Sequence, residues 1–427
     1  MFESFYLHTL GCKVNAYETS AIGEELSRHG LRKVQNPEEA DVIVLNTCSV
    51  TARADQKSRQ HISSFRRRNP NASILVMGCY SQTHAEECVS LGANVVLGSS
   101  NRSKAFSLLE ESLRKNEPII DVKPSVRNES YEELGFNAYS DNARAYLKVQ
   151  DGCNNFCSYC YIPTLRGNSR SREPREVVEE AIALENKGFH EIIITGIHIG
   201  AYGEDLDGHF RLADLLNAIL NKCKKLDRLR ISSIEESEID DGFLTLLRNR
   251  KQVVDHLHIP LQSGSSDVLK AMHRHYDTKA FLEKLSAIRS IRPEIAITTD
   301  IIVGFPSETE EDFAKTLEFC KEAKFAEIHV FPFSPRPNTP AYYMKDLSPQ
   351  IKKERVKRLM DLSKSLRKEY ESQFYGRSMP VLFEDYDEKK HLAYGHTENY
   401  LLVALPSDKP RHGEIAEIIY DDKVASD

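Results

Sequence analysis

The chain has 427 residues, 40% of them apolar, and its 57 Lys and Arg against 64 Asp and Glu give a formal net charge of −7. At roughly 150 residues per domain this length predicts two or three compact units, and the composition excludes a small module or a disordered chain. The longest apolar runs, at 74–77 and 192–195, are strand-length, and the amino terminus lacks the pattern of a secretory signal. We therefore expect a cytoplasmic protein with no membrane partner.

Residues 1–115 alternate short apolar runs with polar helical stretches, a pattern typical of βαβ units on a parallel sheet. Three predicted strands lead closely into a cysteine, Cys12, Cys48 or Cys79; the predicted strands cover 5–10, 41–45, 73–77 and 94–98. Ligands collect at the carboxyl ends of strands in open α/β sheets, so we expect these cysteines to meet at one edge. Gly11 and Gly78 beside two of them would allow the backbone to approach a bulky ligand closely.

A second alternating series follows a polar stretch without periodicity, and we predict a linker over 116–142. From 143 to 350 six strand-like runs are separated by helical patterns; the runs lie at 145–150, 191–197, 228–232, 256–261, 295–303 and 328–331. Six consecutive βα units predict a partial (βα)6 barrel.

The segment 351–375 spaces Leu359, Leu362 and Leu366 three or four residues apart, which predicts an amphipathic helix with a basic opposite face. Beyond it, residues 376–427 contain short β-rich runs at 379–384, 401–405 and 413–420 and predict a small β-barrel domain. The predicted fold class is therefore α/β: a parallel-sheet domain, a partial barrel and a small carboxyl-terminal β-barrel.

The nine cysteines fall into three groups. Cys88, Cys223 and Cys320 stand alone in helical stretches, and we predict that they are buried or idle thiols. Cys153, Cys157 and Cys160 form CNNFCSYC just after the first strand of the second series. Three thiolates on one short loop can bind three irons of a 4Fe–4S cluster and leave the fourth iron open. A structural zinc site is the alternative, but it would want four ligands in tighter pairs.

This spacing, with Tyr159 before the last cysteine, resembles the radical S-adenosylmethionine enzymes. The resemblance implies that the open iron binds the amino and carboxylate groups of S-adenosylmethionine, whose reductive cleavage gives a 5′-deoxyadenosyl radical. It further implies contacts to the cofactor or substrate from residues at barrel strand ends; these are Thr195, Gly196, Ser233, Glu235, Gln262, Ile302 and Gly304. For each of them an ordinary loop residue is the alternative.

The contexts TLGCKVNAYE, NTCSVT and MGCYSQ resemble the amino-terminal domain of the methylthiotransferases, and the resemblance continues through SSIE, HIPLQSG, VGFPSETEEDF and the TRAM-like YGHTENYLLV. It implies that Cys12, Cys48 and Cys79 hold a second 4Fe–4S cluster. It also implies that S-adenosylmethionine is both methyl donor and radical source, that no side chain beyond the clusters is catalytic, and that an electron donor and a sulfur donor are needed.

The motif GCKVN, at 11–15, resembles the branch that modifies C2 of N6-threonylcarbamoyladenosine beside the anticodon of tRNA; the isopentenyladenosine branch usually shows a GCQMN-like pattern. Isopentenyladenosine in tRNA and a ribosomal protein are the alternative acceptors. A non-catalytic iron- or zinc-containing RNA-binding protein would explain the cysteines but not the whole set of barrel motifs.

Two sets of basic residues are candidates for substrate contact. Arg166, Arg170 and Arg172 in LRGNSRSR could bind the threonyl carboxylate or a phosphate through paired hydrogen bonds. Because the net charge is negative, tRNA binding must use local basic patches, and the segment 53–68 and the helix 351–375 are predicted to supply them. A solvated loop or helix face is the alternative in each case.

Overall fold

The computed structural model describes residues 2–124, 129–135, 143–208 and 210–426. The first part of the chain forms one six-stranded parallel sheet in the order β2-β1-β3-β4-β5-β6. Its strands are β1 Ser4–Thr9, β2 Arg32–Lys33, β3 Val42–Thr47, β4 Ser73–Gly78, β5 Val95–Leu97 and β6 Ile119–Asp121. Its helices are α1 Lys13–Arg28, α2 Ala52–Arg68, α3 Ala85–Ser90 and α4 Ala105–Lys115. This is a doubly wound sheet with its switch point between β1 and β3.

Four strands of this sheet lie where the alternating pattern predicts them, whereas the two edge strands were not predicted. β2 has two residues and β6 three, and neither shows enough alternation to be recognised. Because β6 pairs in parallel with β5, the predicted linker is wrong at its start, and the chain leaves the sheet only after residue 121. The parts of the linker at 125–128 and 136–142 lie outside the described residues.

The middle of the chain forms a partial barrel of six parallel strands, as predicted. The main strands are β7 Arg144–Lys148, β10 Glu191–Thr195, β11 Arg228–Ile231, β12 His256–His258, β13 Ala296–Val303 and β14 Glu327–Pro332. Two short strands, β8 Gln150–Asp151 and β9 Arg170–Ser171, form an antiparallel pair that was not predicted. The helices are α5 Ile162–Arg166, α6 Pro174–Asn186, α7 Leu212–Lys222, α8 Asp241–Asn249, α9 Ser266–Ala271, α10 Thr278–Ile291 and α11 Glu310–Ala323.

The barrel strands form two three-stranded sheets, β11-β10-β7 and β12-β13-β14. The sheets are connected where β11 and β12 approach, through the parallel bridge between Leu229 and Val253 and the hydrogen bond from the Ile234 amide to the His258 carbonyl, 3.0 Å. The apolar side chains of the strands and their helices form one continuous buried core.

The last part of the chain contains a long helix and an antiparallel sheet. These elements are α12 Pro349–Ser372, β15 Ser378–Asp387, β16 Leu392–Thr397, β17 Leu402–Pro406 and β18 Ile415–Ile419. Leu359 and Leu366 of α12 are buried in the barrel core, while Phe374 just beyond it is buried in the core of the sheet. The four strands, in the order β17-β16-β15-β18, form an antiparallel half-barrel, which is consistent with the small β-barrel predicted, although β16 was not predicted as a strand.

A buried network of charges joins the parallel-sheet unit to the barrel. Arg166 of α5 donates to both carboxylate oxygens of Glu18 on α1, at 2.8 and 3.2 Å, and to both oxygens of Asp151, at 3.1 and 3.2 Å. Lys148 of β7 reaches the same two carboxylates, at 2.8 and 2.6 Å, and Arg102 also pairs with Glu18. Burial disfavours ionisation of Glu18, yet the three cations hold its pKa well below the usual range.

We predict that Glu18→Gln lowers the free energy of unfolding by about 3–5 kcal/mol at pH 7, because it leaves three buried cations with too little negative charge. Urea unfolding of the cluster-free protein measures this change, with exposed Glu110→Gln as the matched control. A folded-state pKa below the ordinary 4.5 gives stability that is present above pH 4.5. The difference from the parent should therefore shrink as the pH falls below that value, and equal stabilities at pH 7 would contradict the role of the network.

Candidate active site

Three cysteines lie at the carboxyl end of the parallel sheet, beside its switch point. Cys12 caps α1 directly after β1, Cys48 follows β3, and Cys79 follows β4. Cys12 is exposed, Cys48 is partly buried and Cys79 is buried. Cys12 and Cys48 both act electrostatically on the buried thiol of Cys79, so the strand ends bring the three side chains together, as the sequence pattern predicts.

Gly11 and Gly78 permit this approach by a route that differs from the prediction. Both have φ near +100°, and a Cβ atom on Gly11 would lie 2.9 Å from Cβ and 3.1 Å from Sγ of Cys48. A Cβ atom on Gly78 would lie 2.5 Å from the carbonyl oxygen of Thr47. The glycines therefore let one cysteine loop pack against the next, whereas the prediction invoked a bulky ligand.

Asn15 and Arg166 hold the three cysteine loops in place. The Asn15 side-chain amide donates to the carbonyl oxygens of Leu10, 2.8 Å, and Thr47, 3.0 Å, which lie beside the first two cysteines. Its Oδ1 accepts from Arg166, 2.7 Å, and the positive charge of Arg166 also acts on the thiol of Cys79. Burial raises the pKa of that thiol to about 12, against the opposing charge of Arg166.

The other three cysteines lie on the loop after β8, at the carboxyl end of the barrel's first strand. The Cys153 amide donates to the Gly167 carbonyl, 3.1 Å, and the Cys160 amide donates to the Cys157 carbonyl, 2.9 Å. Between them Phe156 has a positive φ of 46°, which turns the chain sharply. The short loop thus presents three thiols from eight residues, and burial raises the pKa of Cys160 to about 12.

Two side chains from distant barrel segments contact these thiols, and neither was predicted. Arg274 donates to Sγ of Cys157, 3.4 Å, and pairs with Glu235 at 2.9 Å. His198 lies beside Cys153 and pairs with Glu238; although burial lowers its pKa, these two neighbours raise it to about 11. His198 lies two residues beyond Gly196, one of the predicted cofactor residues, whereas nothing in the sequence near Arg274 indicates its contact.

One cleft lies between the barrel cysteine loop and the loop that follows Cys48. It is lined by Val50 and Thr51 of the loop after Cys48, by residues 159–162 of the barrel cysteine loop, by Gln262, Asp300 and Ile302, and by residues 331–334. The lining is mostly apolar and aromatic. Cys79 packs against Tyr161 and Leu165 directly below the barrel cysteine loop, so the two sites adjoin.

The predicted cofactor residues divide into three groups. Gln262 and Ile302 line the cleft, and Glu235 lies beside Cys157 through its ion pair with Arg274. Thr195 is buried at the end of β10, and the loop that begins with Gly196 is held by hydrogen bonds from the amides of residues 197 and 198 to one Gln150 oxygen, 3.0 and 2.8 Å. Ser233 is partly exposed beyond β11.

Gly304 has a different environment from the one predicted. A Cβ atom on it would lie 2.3 Å from Cγ of Lys352, and its amide donates to Glu308, which pairs with Arg355 at 2.8 Å. Lys352 and Arg355 belong to α12. Gly304 therefore makes room for α12 against the barrel, and the structure gives it no place in the cleft.

The prediction that Arg166, Arg170 and Arg172 bind substrate is wrong. Arg166 belongs to the buried network that joins the two units, and Arg170 donates to the carbonyls of Arg166, 2.7 Å, and Asn168, 3.2 Å. Arg172 is 1% exposed and pairs with Glu133 and Glu180. Carboxylates and carbonyls of the chain itself already occupy these guanidinium groups.

The donor sets fit iron–sulfur clusters better than a single zinc ion. In the described part of the chain, only His258, Asp300 and His329 form a trio of possible ligands whose atoms all lie within 4.8 Å of one another. One zinc ion with Zn–S bonds of about 2.3 Å would hold its sulfur atoms closer than that. The two thiol triads are more widely spaced, and they suit the larger 4Fe–4S group, which takes Cys ligands at separate irons.

A partial barrel with three cysteines on its first loop defines a radical S-adenosylmethionine enzyme. The model of the Radical SAM superfamily matches residues 147–320, and that of uncharacterized protein family UPF0004 matches residues 4–98. The threonylcarbamoyladenosine tRNA methylthiotransferase MtaB of Bacillus subtilis (strain 168) is 42% identical over 96% of this chain and 92% of its own length. The chain belongs to the radical S-adenosylmethionine methylthiotransferase family, which confirms the resemblance seen in its motifs.

Two further comparisons place the chain among its relatives. The tRNA-2-methylthio-N(6)-dimethylallyladenosine synthase of Thermoanaerobacter sp. (strain X514) is 34% identical over 97% of this chain and 89% of its own length. Among solved structures, the radical S-adenosylmethionine methyltransferase TsrM of Kitasatospora setae aligns with a TM-score of 0.59 and 14% identity over 80% of this chain and 74% of that one. The structural match confirms the predicted α/β fold class.

We predict that iodoacetamide at pH 8 modifies Cys12 of the cluster-free protein first and Cys79 and Cys160 much later. Cys12 is exposed, whereas burial raises the pKa of the other two thiols to about 12 and keeps them protonated. Peptide mass spectrometry over time measures the order. Cys88, which is fully buried with its pKa raised to about 12, provides the inert reference. Equal rates at Cys12 and Cys79 would contradict the closed arrangement of the three strand ends.

Proposed function

We propose that this protein transfers a methylthio group to C2 of N6-threonylcarbamoyladenosine in tRNA. One observation supports the proposal above the others: two separate cysteine triads adjoin a single cleft, in a chain 42% identical over nearly its full length to a threonylcarbamoyladenosine tRNA methylthiotransferase. Isopentenyladenosine (dimethylallyladenosine) in tRNA and a ribosomal protein are the rival acceptors. A non-catalytic iron- or zinc-containing RNA-binding protein is the rival class.

In this proposal each cysteine triad holds one 4Fe–4S cluster. The cluster that binds S-adenosylmethionine is held by Cys153, Cys157 and Cys160. The other cluster is held by Cys12, Cys48 and Cys79. When bound, these groups supply the one-electron and sulfur chemistry that side chains cannot perform at an aromatic C–H bond. Radical S-adenosylmethionine chemistry also requires an electron donor, and a separate sulfur donor must supply the inserted sulfur.

In this proposal the protein's side chains bind and orient the cofactors and shield the reacting groups from water. Arg274 donates a hydrogen bond to the sulfur atom of Cys157, and His198 lies beside Cys153; polar groups next to the sulfur atoms tune a cluster's reduction potential. The apolar cleft lining limits water near the reacting groups. We place S-adenosylmethionine against the strand-end residues nearest the barrel cysteines; these are Thr195, Gly196, Ser233, Glu235, Gln262 and Ile302.

The tRNA partner requires a basic surface near the cleft, and α2 offers one. Arg53, Lys57 and Arg67 are exposed, and in the described part of the chain they have no ion pair. Thr51, which caps α2, lines the cleft, so the first turn of this helix lies at its entrance. Phosphate contacts from this face would bring the anticodon loop to the site.

The second predicted patch, on α12, is largely neutralised by the chain itself. Its cations pair with nearby carboxylates: Lys352 with Asp346, Arg355 with Glu308, Lys357 with Asp361, Arg358 with Glu310 and Arg367 with Glu371. Most of its basic side chains are therefore already paired, and the patch is a poorer candidate for tRNA than α2.

The domain limits remain part of the proposal. We divide the chain into a cluster domain at 1–115, a linker at 116–142 shortened by strand β6, a barrel at 143–350, a helix at 351–375 and a TRAM-like RNA-binding domain at 376–427. In the described residues no helix is long and apolar enough to cross a membrane. A cytoplasmic location is proposed because the substrate is tRNA.

We predict that replacing Cys153, Cys157 and Cys160 with Ala abolishes formation of 5′-deoxyadenosine and lowers the iron content of the reconstituted protein by about half. The thiolates are the protein ligands of the cluster that binds S-adenosylmethionine, so its cleavage cannot occur without them. Chromatography of the nucleoside product and iron analysis provide the two measurements. Replacing Cys223, a buried thiol outside both triads, with Ala is the control. Retained cleavage would contradict the proposal.

We predict that replacing Cys12, Cys48 and Cys79 with Ala has a separable effect. Reductive cleavage of S-adenosylmethionine should remain measurable, because the barrel cysteines are intact, whereas methylthiolated nucleoside should disappear. Mass spectrometry of digested tRNA measures the modified nucleoside. A variant that makes it at the parental rate would show that the amino-terminal triad is structural.

A further inference from the structure

A second pocket lies beside the cleft and shares Asp300 with it. Its walls are inward-facing side chains of β11 to β14, including Arg230, His256 and Thr298. Two other units complete it: Lys13 comes from the first residue of α1, and Tyr400 comes from the carboxyl-terminal half-barrel. All three units of the protein therefore contribute to one pocket.

The two cavities differ in chemistry. The cleft is mostly apolar, whereas charged and hydrogen-bonding side chains dominate the second pocket. Thr298 Oγ1 lies 3.0 Å from Nε2 of His256 and 2.9 Å from Nδ1 of His258. The Tyr400 ring stacks on His256, with ring centroids 4.8 Å apart. Such a pocket suits a polar ligand with several hydrogen-bonding groups rather than a hydrocarbon chain.

The ionic groups of the pocket are paired with one exception. Arg230 donates to Glu191 at 2.6 Å, and Asp300 pairs with His258 at 3.3 Å. The Glu327 carboxylate pairs with Arg367 of α12 at 3.3 Å. Across the described ranges of the chain, Lys13 has neither a hydrogen bond nor an ion pair. Its charged neighbours include Arg144 and Arg230, which repel it. An ammonium group placed among cations at a pocket wall favours an anionic ligand.

We propose that this pocket receives the threonylcarbamoyl group of the substrate and that Nζ of Lys13 pairs with its carboxylate. The inference rests on the proposed function and names the residue that selects the acceptor. Lys13 directly follows Cys12, and the pocket opens beside the cleft at Asp300, so an adenine in the cleft can extend its N6 substituent into the pocket.

The charge of Lys13, the central residue of GCKVN, gives the pocket a preference between acceptors. A lysine attracts the carboxylate of threonylcarbamoyladenosine, whereas an isopentenyl group would leave the ammonium without a counter-ion in a partly buried site. Such an unpaired polar group makes the wrong substrate costly.

The test compares two anticodon stem-loops, one with threonylcarbamoyladenosine and one with its carboxylate blocked as the methyl ester. Wild-type protein should lose about 10²–10⁴-fold in kcat/KM on the ester. Lys13→Gln should lose a similar factor on the acid but show little further loss on the ester, and Lys13→Arg should restore part of the preference. Exposed Lys224→Gln is the matched control and should behave as wild type.

Equilibrium binding of the two stem-loops to wild type and Lys13→Gln gives a readout that does not depend on turnover, and iron content checks that both clusters remain. An equal loss on acid and ester in Lys13→Gln, or an unchanged preference for the acid, would overturn the assignment of Lys13. A wild-type enzyme that cleaves S-adenosylmethionine but modifies neither stem-loop would instead overturn the proposed function, and the binding preference would still decide the role of Lys13.

Discussion

The position of both cysteine triads depends on the burial of Arg166 between the parallel sheet and the barrel. Its guanidinium group pairs with Glu18 and Asp151, donates to Asn15 and reaches the thiol of Cys79. A buried cation is tolerated only with its carboxylates in place, because desolvation outweighs an incomplete set of contacts. The network is therefore complete only when the two units are docked, and docking brings their cysteine loops to one cleft. In the proposed function, one substrate in this cleft would lie within reach of both sites.

Arginines of the barrel strands likewise attach the carboxyl-terminal half-barrel to the barrel. Arg228 donates to the carbonyls of Pro380 and His396, and Arg144 pairs with Glu384. The ring of Tyr400 lies under the guanidinium of Arg230, 4.8 Å from its Cζ. Eleven acidic against six basic residues after position 375 are unfavourable for an RNA-binding surface. The structure explains part of this excess, since some acidic and carbonyl groups meet the arginines at the base of the barrel.

The two cavities suggest how one chemistry serves different acceptors within the family. The apolar cleft lies beside the barrel cysteine loop, and the relatives named for threonylcarbamoyl and dimethylallyl substrates are 42% and 34% identical to the chain over nearly its whole length. The polar pocket adjoins the cleft at Asp300 and includes side chains from all three units. Changing a few of its charges can alter the accepted substituent without disturbing the cysteines, because charge pairing discriminates strongly in a partly buried site.

The sequence alone determined the elements whose signals are local. The spacing of Cys153, Cys157 and Cys160 indicates the barrel cluster, and Cys12, Cys48 and Cys79 close to predicted strand ends indicate a shared edge, because parallel strands end on one side. Contacts between distant segments were decided by the tertiary structure. LRGNSRSR looks like an exposed basic loop until Glu18 and Asp151 meet Arg166 in the fold. The position of Lys13 in a pocket with Tyr400 likewise required the docking of three units, since pairing across hundreds of residues leaves no pattern in a single sequence.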